Sequence, residues 1–272
     1  MVARVRVLAP ACAGVLLLAA AIRPAAAQDV VAMSFEGFGP AGLHVMTAHT
    51  IIEETPAWYL IQGDFATAGL GALFINVANR SLTQGRRSGE VPRPELFESE
   101  TARNGVVVHN RVDFRTDGVP SGFSTPAPAE AITPVDPGQL PGTVDSLTAY
   151  FLLQRQIAHG GGCALKVAVF DGRHRYDLEF GDAGNAMLGP AAGQKFAGPT
   201  HQCRIERRQI GGFYVDMRHA EGASSGTIWY APLLPDGDLV VPVRMEMQTE
   251  IGEVAMYLSQ LRGRGVDLRL MP

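Results

Sequence analysis

The densest group of chemically capable side chains in the sequence follows a short apolar run that ends at Phe170. Six polar residues lie within nine positions: Asp171, Arg173, His174, Arg175, Asp177 and Glu179. A histidine beside a carboxylate could act as a general base, because the carboxylate orients the imidazole ring. No reactive cysteine accompanies this pair. The pattern therefore favours a hairpin tip with a solvated charged face over a hydrolase site.

Cysteine chemistry depends on Cys163 and Cys203, because Cys12 lies in an N-terminal segment that we expect to be removed. Two thiols in an exported chain most simply form a disulfide. This bond would close a loop of about 40 residues and contribute about 4 kcal/mol in the chain-entropy model. The alternative is a metal or redox pair. Neither cysteine lies in a C-x-x-C motif, and the nearby His159 and His201 lack a metal-ligand spacing, so we predict a structural disulfide and no metal.

A local positive excess lies beside Cys203. It consists of Arg204, Glu206, Arg207 and Arg208. These residues could meet an anionic headgroup or an acidic envelope partner, although a charged outer strand face accounts for them as well. The Gly69-Leu70-Gly71 segment lacks the G-x-G-x-x-G pattern and the sequence has no Walker-type loop, so we expect no anchor for a nucleotide cofactor. We predict no cofactor and no enzymatic activity.

The first 27 residues have the three parts of an export signal. Arg4 and Arg6 form a basic n-region, Val7–Ile22 forms an apolar h-region, and Ala25–Ala27 supplies small residues for a signal peptidase. The small-residue exit favours cleavage over a retained signal anchor. The stretch before the first cysteine is too short for the h-region of a lipoprotein. We therefore expect a cleaved signal peptide over residues 1–27 and a periplasmic location.

Composition is typical of a globular, turn-rich domain. The chain is 46% hydrophobic and 18% charged, which excludes general disorder. Its 31 glycines and 18 prolines are about 18% of the residues against about 12% on average, which indicates many turns. Removing the three arginines of the signal takes the net charge from −4 to −7. An acidic exported chain lacks the basic patch that nucleic acid requires, so nucleic acid is excluded as a partner.

Alternating apolar and polar residues predict antiparallel strands along most of the chain. The clearest cases are Val106–Phe114, Arg175–Phe180 and Val241–Gln248. Further candidate strands are Leu43–Ile52, Ala57–Phe65, Leu165–Phe170, Cys203–Ile210, Thr227–Leu233 and Glu253–Leu261. The Asp171-Gly172 pair separates two of these runs closely enough to form a hairpin.

One segment is convincingly helical. Asp145 or Ser146 can cap a helix over Leu147–Ala158, which carries an apolar stripe and ends at three glycines. The stretch from 117 to 142 is rich in Pro and Gly and poor in packing residues, so it predicts a long loop. This loop could divide two domains, but neither side has enough strands to be independent. We therefore predict a single β-rich domain over residues 28–272.

These elements predict a mostly β fold, in which a large twisted antiparallel sheet forms an open barrel or β-spiral with one apolar helix against or inside it. Such a shape can leave an apolar cavity for a hydrophobic ligand. The residues predicted to line it are Tyr150, Phe151, Leu153, Met245, Met247 and Met256. A dry core filled by the same side chains is the simpler alternative.

Several segments of the sequence resemble the alphaproteobacterial branch of the DUF3108 family. They read GDFATAGLGALF, RPELFESE, PGTVDSLTAYFLLQRQI, CALKVAVFDGRHRYDLEF and HQCRIERRQIGGF. The likeness extends roughly from Val31 to Leu261, and its most specific part is the Cys163 strand with the Asp171-Gly172-Arg173 turn and Cys203. The resemblance implies a periplasmic β-rich protein, distantly like open-barrel lipoprotein carriers and β-spiral envelope proteins with one disulfide. It assigns no catalytic residues.

Together these observations favour a monomeric, non-enzymatic cell-envelope protein of the periplasm that binds a lipid or a lipoprotein acyl chain. An envelope-integrity scaffold that acts through a protein partner is the alternative. A hydrolase that uses Asp171 and His174 is the least favoured reading.

The signal peptide has a direct test. We expect the exported protein to begin at Gln28, because signal peptidase cuts after a small-residue motif. Intact-mass measurement of protein from the periplasmic fraction would show this start. Recovery of the full-length mass in the membrane fraction would contradict it.

Overall fold

The computed structural model describes residues 29–69, 72, 76–89, 91–215, 224–249 and 252–272. The predicted signal peptide over 1–27 lies outside the described residues. Within the described ranges the chain forms fourteen strands and the helix α1, Ser146–Ala158. The strands are β1 Asp29–Phe38, β2 His44–Glu54, β3 Trp58–Thr67, β4 Val77–Ser88, β5 Val91–Arg103, β6 Val106–Asp113, β7 Ser121–Thr125, β8 Leu165–Phe170, β9 Arg175–Leu188, β10 Gly198–Gly211, β11 Ser225–Ala231, β12 Val241–Thr249, β13 Gly252–Gly263 and β14 Val266–Arg269.

All fourteen strands belong to one antiparallel sheet. Its order is β7-β6-β5-β4-β3-β2-β1-β13-β12-β11-β10-β9-β8, and β14 pairs with β13. The chain therefore makes two meanders, β1–β7 and β8–β13, which the pairing of β1 with β13 joins into one sheet. The prediction of a mostly β protein with a large antiparallel sheet is confirmed. In the part of the chain that the structure describes, no helix has the length and apolar character needed to cross a membrane.

Alternation in the sequence corresponds to alternation in burial. In β1 the side chains of Val31, Met33 and Phe35 are buried and their neighbours are half-buried, so one face of the strand looks inward. The inward face of β4 is different, because Asn79, Ser81 and Thr83 are polar. These side chains bond within the sheet, as when Ser81 Oγ donates to Asn79 Oδ1 at 2.8 Å. Strand β4 therefore lacks the apolar alternation that identifies strands such as β9.

The Pro/Gly-rich segment contains more structure than its composition predicts. Strand β7, Ser121–Thr125, lies inside the segment predicted as a loop over 117–142, and it pairs with β6. A 3-10 turn, Pro137–Gln139, follows. The loop prediction was wrong for these residues, because an edge strand needs main-chain hydrogen bonds on one side and few apolar side chains.

The two ends of the sheet approach each other without completing the ladder. The turn between β8 and β9, Asp171–His174, which we call the hairpin tip, lies against β6 and β7. A Cβ atom on Gly172 would lie 2.8 Å from the Phe123 carbonyl oxygen and 3.0 Å from that of Arg111. Only glycine fits here, because its φ of +97° also disfavours other residues. The sheet therefore curls into an open barrel.

Helix α1 fills part of the interior and separates two apolar clusters. Phe151 packs in the first cluster with residues of β1, β2, β3 and β13, including Ile61 and Leu258. Leu153 packs in the second with residues of β8 to β11, including Val169 and Ile228. Contacts on both sides of the helix show that it lies within the curl of the sheet.

A buried group of charges fastens α1 to strands of both meanders. Glu54, at the end of β2, is 1% exposed. Its Oε2 accepts hydrogen bonds from Arg87 Nη1 at 3.1 Å and from Arg155 Nη1 of α1 at 3.2 Å. Its Oε1 accepts one from Arg264 in the turn after β13, and Arg264 also contacts Asp238. One carboxylate thus accepts hydrogen bonds from three guanidinium groups.

We expect Glu54→Gln to lower the free energy of unfolding by about 3–5 kcal/mol, because it removes the buried counter-charge of Arg155 and Arg264. Urea unfolding followed by circular dichroism measures this change. The matched control is Glu95→Gln, which removes the carboxylate that contacts Arg86 at 2.6 Å at an exposed site. Glu95→Gln should lower the free energy of unfolding by less than about 1 kcal/mol. Equal losses in the two variants would contradict the role given to Glu54.

Candidate functional site

The position of α1 in the sheet is set by the residue that immediately precedes it. Asp145 is the N-cap, and its Oδ1 accepts the backbone N–H of Thr148 at 2.9 Å. Its Oδ2 accepts hydrogen bonds from the hydroxyls of Thr148, at 2.6 Å, and of Thr83 in β4, at 2.9 Å. Burial raises the pKa of Asp145, and the hydrogen bonds from Thr148 and Thr83 only partly oppose this shift. Asp145 thus fixes both the start of the helix and how far the helix lies inside the curl of the sheet.

A cavity of about 180 Å³ opens beside α1, between the helix and strands β9 to β12. We call it the Tyr150 cavity. Its described lining consists of Tyr150, Tyr176, Leu178, Ile205, Arg207, Ser224, Ser225 and Met247. Five of these eight side chains are aromatic or aliphatic, and one is a cation. An apolar wall with a single positive charge suits an amphipathic ligand with an anionic group.

Arg207 supplies the positive charge of the Tyr150 cavity from the inward face of β10. Its guanidinium carbon lies 5.7 Å from the ring centroid of Tyr176 and 5.5 Å from that of Phe213, which is cation–π distance. Neighbouring Glu206 and Arg208 are exposed, whereas Arg207 is half-buried. The interpretation of this basic group as one outer charged face was therefore wrong for Arg207, because strand alternation turns it inward with Ile205.

The phenols in the cavity remain protonated near neutral pH. Burial raises the pKa of Tyr150 to about 12, and the charge of Arg207 opposes only part of this shift. Burial likewise raises the pKa of Tyr176. The Tyr150 ring meets Phe180 edge-on, with centroids 5.7 Å apart. The two tyrosines can therefore present hydroxyl donors beside an otherwise apolar surface.

Two of the six predicted lining residues, Tyr150 and Met247, line this cavity. Phe151 and Leu153 are 0% exposed and belong to the two packed clusters. Met245 packs against both clusters, and its register partner Met256 packs against the first. Sequence reasoning did not name Tyr176, Leu178 or Ile205 as lining, although the first two share the predicted apolar face of β9.

A second concave region lies on the opposite, charged face of β3 to β7. We call it the cross-strand groove. It has a volume of about 610 Å³ and is walled by two rows of side chains. The more charged row follows the strand register through Asp64, Arg80, Glu100 and His109. Phe123 of β7 lies at one end and is 53% exposed. Mixed charges and one exposed aromatic ring suit a polar partner better than a lipid.

The polar cluster that opens the sequence analysis forms the hairpin tip. Asp171 Oδ1 accepts the backbone N–H groups of Arg173 and His174 at 3.0 and 2.7 Å, and Oδ2 meets His174 Nδ1 at 2.9 Å. Burial opposes ionisation of Asp171, but His174 and these N–H donors outweigh it and lower the pKa of Asp171. The His174 ring packs on Phe213 at 4.7 Å. These contacts explain the cluster as a turn that seats the tip against β6 and β7.

The cysteines meet as predicted. Cys163 and Cys203 form a disulfide with their Cα atoms 5.6 Å apart. The bond ties the segment after α1 to β10, and both residues are fully buried. His201 also lies near the two sulfur atoms, which linear spacing did not indicate.

We expect Asp171→Asn to lower the free energy of unfolding by about 1–3 kcal/mol at pH 7, because it removes the charge that His174 and two N–H groups stabilise. Because folding lowers the pKa of Asp171, this contribution is fully present above the ordinary value of 3.8 and is lost as the pH falls through the lower, folded value. Urea unfolding at pH 7 and below pH 4 should show the difference from wild type shrinking with acid.

The matched control for this experiment is Asp117→Asn. Asp117 also accepts a backbone N–H two residues later, from Val119 at 3.1 Å, but at an exposed turn. Asp117→Asn should change the free energy of unfolding by less than about 0.5 kcal/mol. If Asp171→Asn lowers the free energy of unfolding by the same amount at pH 7 and below pH 4, the electrostatic explanation is contradicted.

Comparison with known proteins bears on family and fold. A family model described as a protein of unknown function (DUF3108) matches residues 31–259. No curated protein matches the chain. Among solved structures, the chain is similar to a beta-barrel-like protein of domain of unknown function DUF1849 from Brucella abortus, with a TM-score of 0.47 and 11% sequence identity over 88% of this chain and 99% of that chain. The match of the family model over most of the sheet confirms the resemblance seen in the sequence, and the chain belongs to the DUF3108 family.

Proposed function

We propose that the protein is a non-enzymatic, periplasmic cell-envelope protein that binds a hydrophobic ligand, a lipid or the acyl chain of a lipoprotein, in its open barrel. The observation that carries this proposal is the Tyr150 cavity, which lies inside the curl of the sheet and beside the helix. Burial of apolar surface from the ligand would drive binding at about 25 cal/mol per Å².

The chemistry of the lining supports an acyl chain with an anionic end. Leu178, Ile205 and Met247 offer aliphatic contacts, and methionine adapts to chains of different shape. Arg207 can pair with a carboxylate or phosphate, and the hydroxyl of Tyr150 can donate to it. At about 180 Å³ the cavity is smaller than the 300–1,000 Å³ typical of pockets for drug-sized ligands. It would therefore hold one end of the ligand, with the remainder outside.

The cross-strand groove supports a second candidate, an envelope scaffold that acts through protein contacts. Its volume of about 610 Å³, its two rows of charged side chains and exposed Phe123 would suit a polar protein surface. Charged walls would set the orientation of such a partner more than its affinity. The two candidates use opposite faces of the sheet, so variants can separate them.

The first measurement is native mass spectrometry of protein purified from the periplasm without detergent, followed by solvent extraction. We expect a stoichiometric adduct of lipid size, because an apolar site inside the barrel would retain its ligand in water. A clean mass without an adduct would favour the scaffold.

A variant pair locates the ligand. Ser224 lines the cavity and is paired with Arg207, whose backbone N–H donates to the Ser224 carbonyl oxygen at 2.8 Å. Ser224→Phe therefore places a large ring in the Tyr150 cavity, and we expect it to lose the adduct and to weaken binding of a dansyl-labelled undecanoic acid at least tenfold. Met187→Ala is the control, because Met187 is 75% exposed and lies outside the described lining. Unfolding curves verify that both variants fold. Wild-type affinity for the probe in Ser224→Phe would exclude this cavity as the site.

A further inference from the structure

A group of potential metal ligands surrounds the disulfide. One ligand atom each from Cys163, His201 and Cys203 lies within 4.8 Å of the other two. Asp182 adds a carboxylate, with Oδ2 at 3.2 Å from His201 Nε2. Two sulfurs, an imidazole and a carboxylate are donors found in tetrahedral zinc sites.

The strand geometry explains why these residues meet. His201 and Cys203 are two apart in β10, and Asp182 lies opposite Cys203 in β9. The register shifts between His201 and Cys203, because β9 has one residue more than β10 across this step, and Gly184 there has a φ of +87°. A bulge of this kind re-aims side chains locally. It brings the donors together although their linear spacing is not that of a metal motif.

The imidazole and the carboxylate are already oriented. His201 Nδ1 lies 3.0 Å from Asn185 Oδ1, and since that oxygen can only accept, the ring donates from Nδ1 and keeps its other nitrogen for a ligand. The carboxylate of Asp182 is held by the backbone N–H of Gly184, which donates to Oδ1 at 2.8 Å. The other oxygen of Asp182, Oδ2, therefore faces His201 Nε2.

We propose that Cys163, Cys203, His201 and Asp182 bind one Zn²⁺ when the disulfide is reduced. The disulfide and the metal are then two alternative ways of linking Cys163 to Cys203. A dithiol reductant opens the bond: it is oxidised to its own disulfide, and Cys163 and Cys203 each gain one proton and one electron. Zinc binding then releases both thiol protons, because the thiolates are the ligands. The same donors are present in a newly made chain before oxidation.

The geometric change that this requires is small. Two sulfurs at about 2.3 Å from one tetrahedral zinc lie about 3.8 Å apart. The two Cα atoms, now 5.6 Å apart, can provide that spacing by side-chain rotation. Full burial of both cysteines fits a closed structural site, in which all four positions are occupied by protein.

The experiment uses the protein unfolded and reduced under anaerobic conditions, then refolded with Co²⁺ as a spectroscopic substitute for Zn²⁺. We expect one equivalent of Co²⁺ to bind, with the near-ultraviolet thiolate charge-transfer bands and intense visible bands of a tetrahedral site. Adding Zn²⁺ should displace it. Circular dichroism should show the same β signal as in the oxidised protein.

Variants identify the ligands. His201→Gln keeps both cysteines and should weaken Co²⁺ binding at least tenfold, whereas His159→Gln, at the end of α1, should bind like the wild type. The joint variant Cys163→Ser, Cys203→Ser should lose the charge-transfer bands. Wild-type affinity in His201→Gln, absence of the bands, or a reduced chain that does not refold with the metal would each overturn the proposal.

Discussion

Helix α1 carries charged groups into the interior of a curled sheet, and each of these groups must find a partner there. An unpaired charge at such a depth costs several kcal/mol. Asp145 meets the hydroxyl of Thr83 at one end of the helix, and Arg155 meets Glu54 near the other. Two polar contacts separated along the helix leave little freedom to slide or rotate. They consequently decide which side chains fill the core.

The rotation set by these contacts produces a packed interior with a gap beside Tyr150. Phe151 and Leu153 point into the two apolar clusters, where large side chains interdigitate. Tyr150 points between these directions, towards a cavity that it shares with Met247 and the inward-facing Arg207. The guanidinium of Arg207 is attracted to the faces of the neighbouring aromatic rings. This cation–π attraction stabilises the charge in a half-buried position. The cavity and its charge thus arise from the same placement of the helix.

Sequence patterns predict elements here better than they predict which side chains meet. Strands such as β9 are recognisable because Tyr176 and Leu178 share one apolar face, whereas β4 is not, because its inward residues are polar. The apolar stripe of the helix predicted that both Tyr150 and Phe151 line the cavity. Helical periodicity shows which residues share an apolar face, but it does not show how the helix is rotated about its axis in the fold. The position of His201 depends on a bulge in another strand, which linear spacing does not encode.

The pairing of β1 with β13 has a consequence for how the chain folds. Val31 and Gly263 are partners, so the central seam of the sheet joins residues more than 200 positions apart. During synthesis the first strand keeps one edge open until β13 has emerged. Topologies dominated by such distant contacts fold slowly, and exposed strand edges invite association with other chains in the meantime. We therefore expect the nascent chain to be most prone to such association before β13 is available to pair with β1.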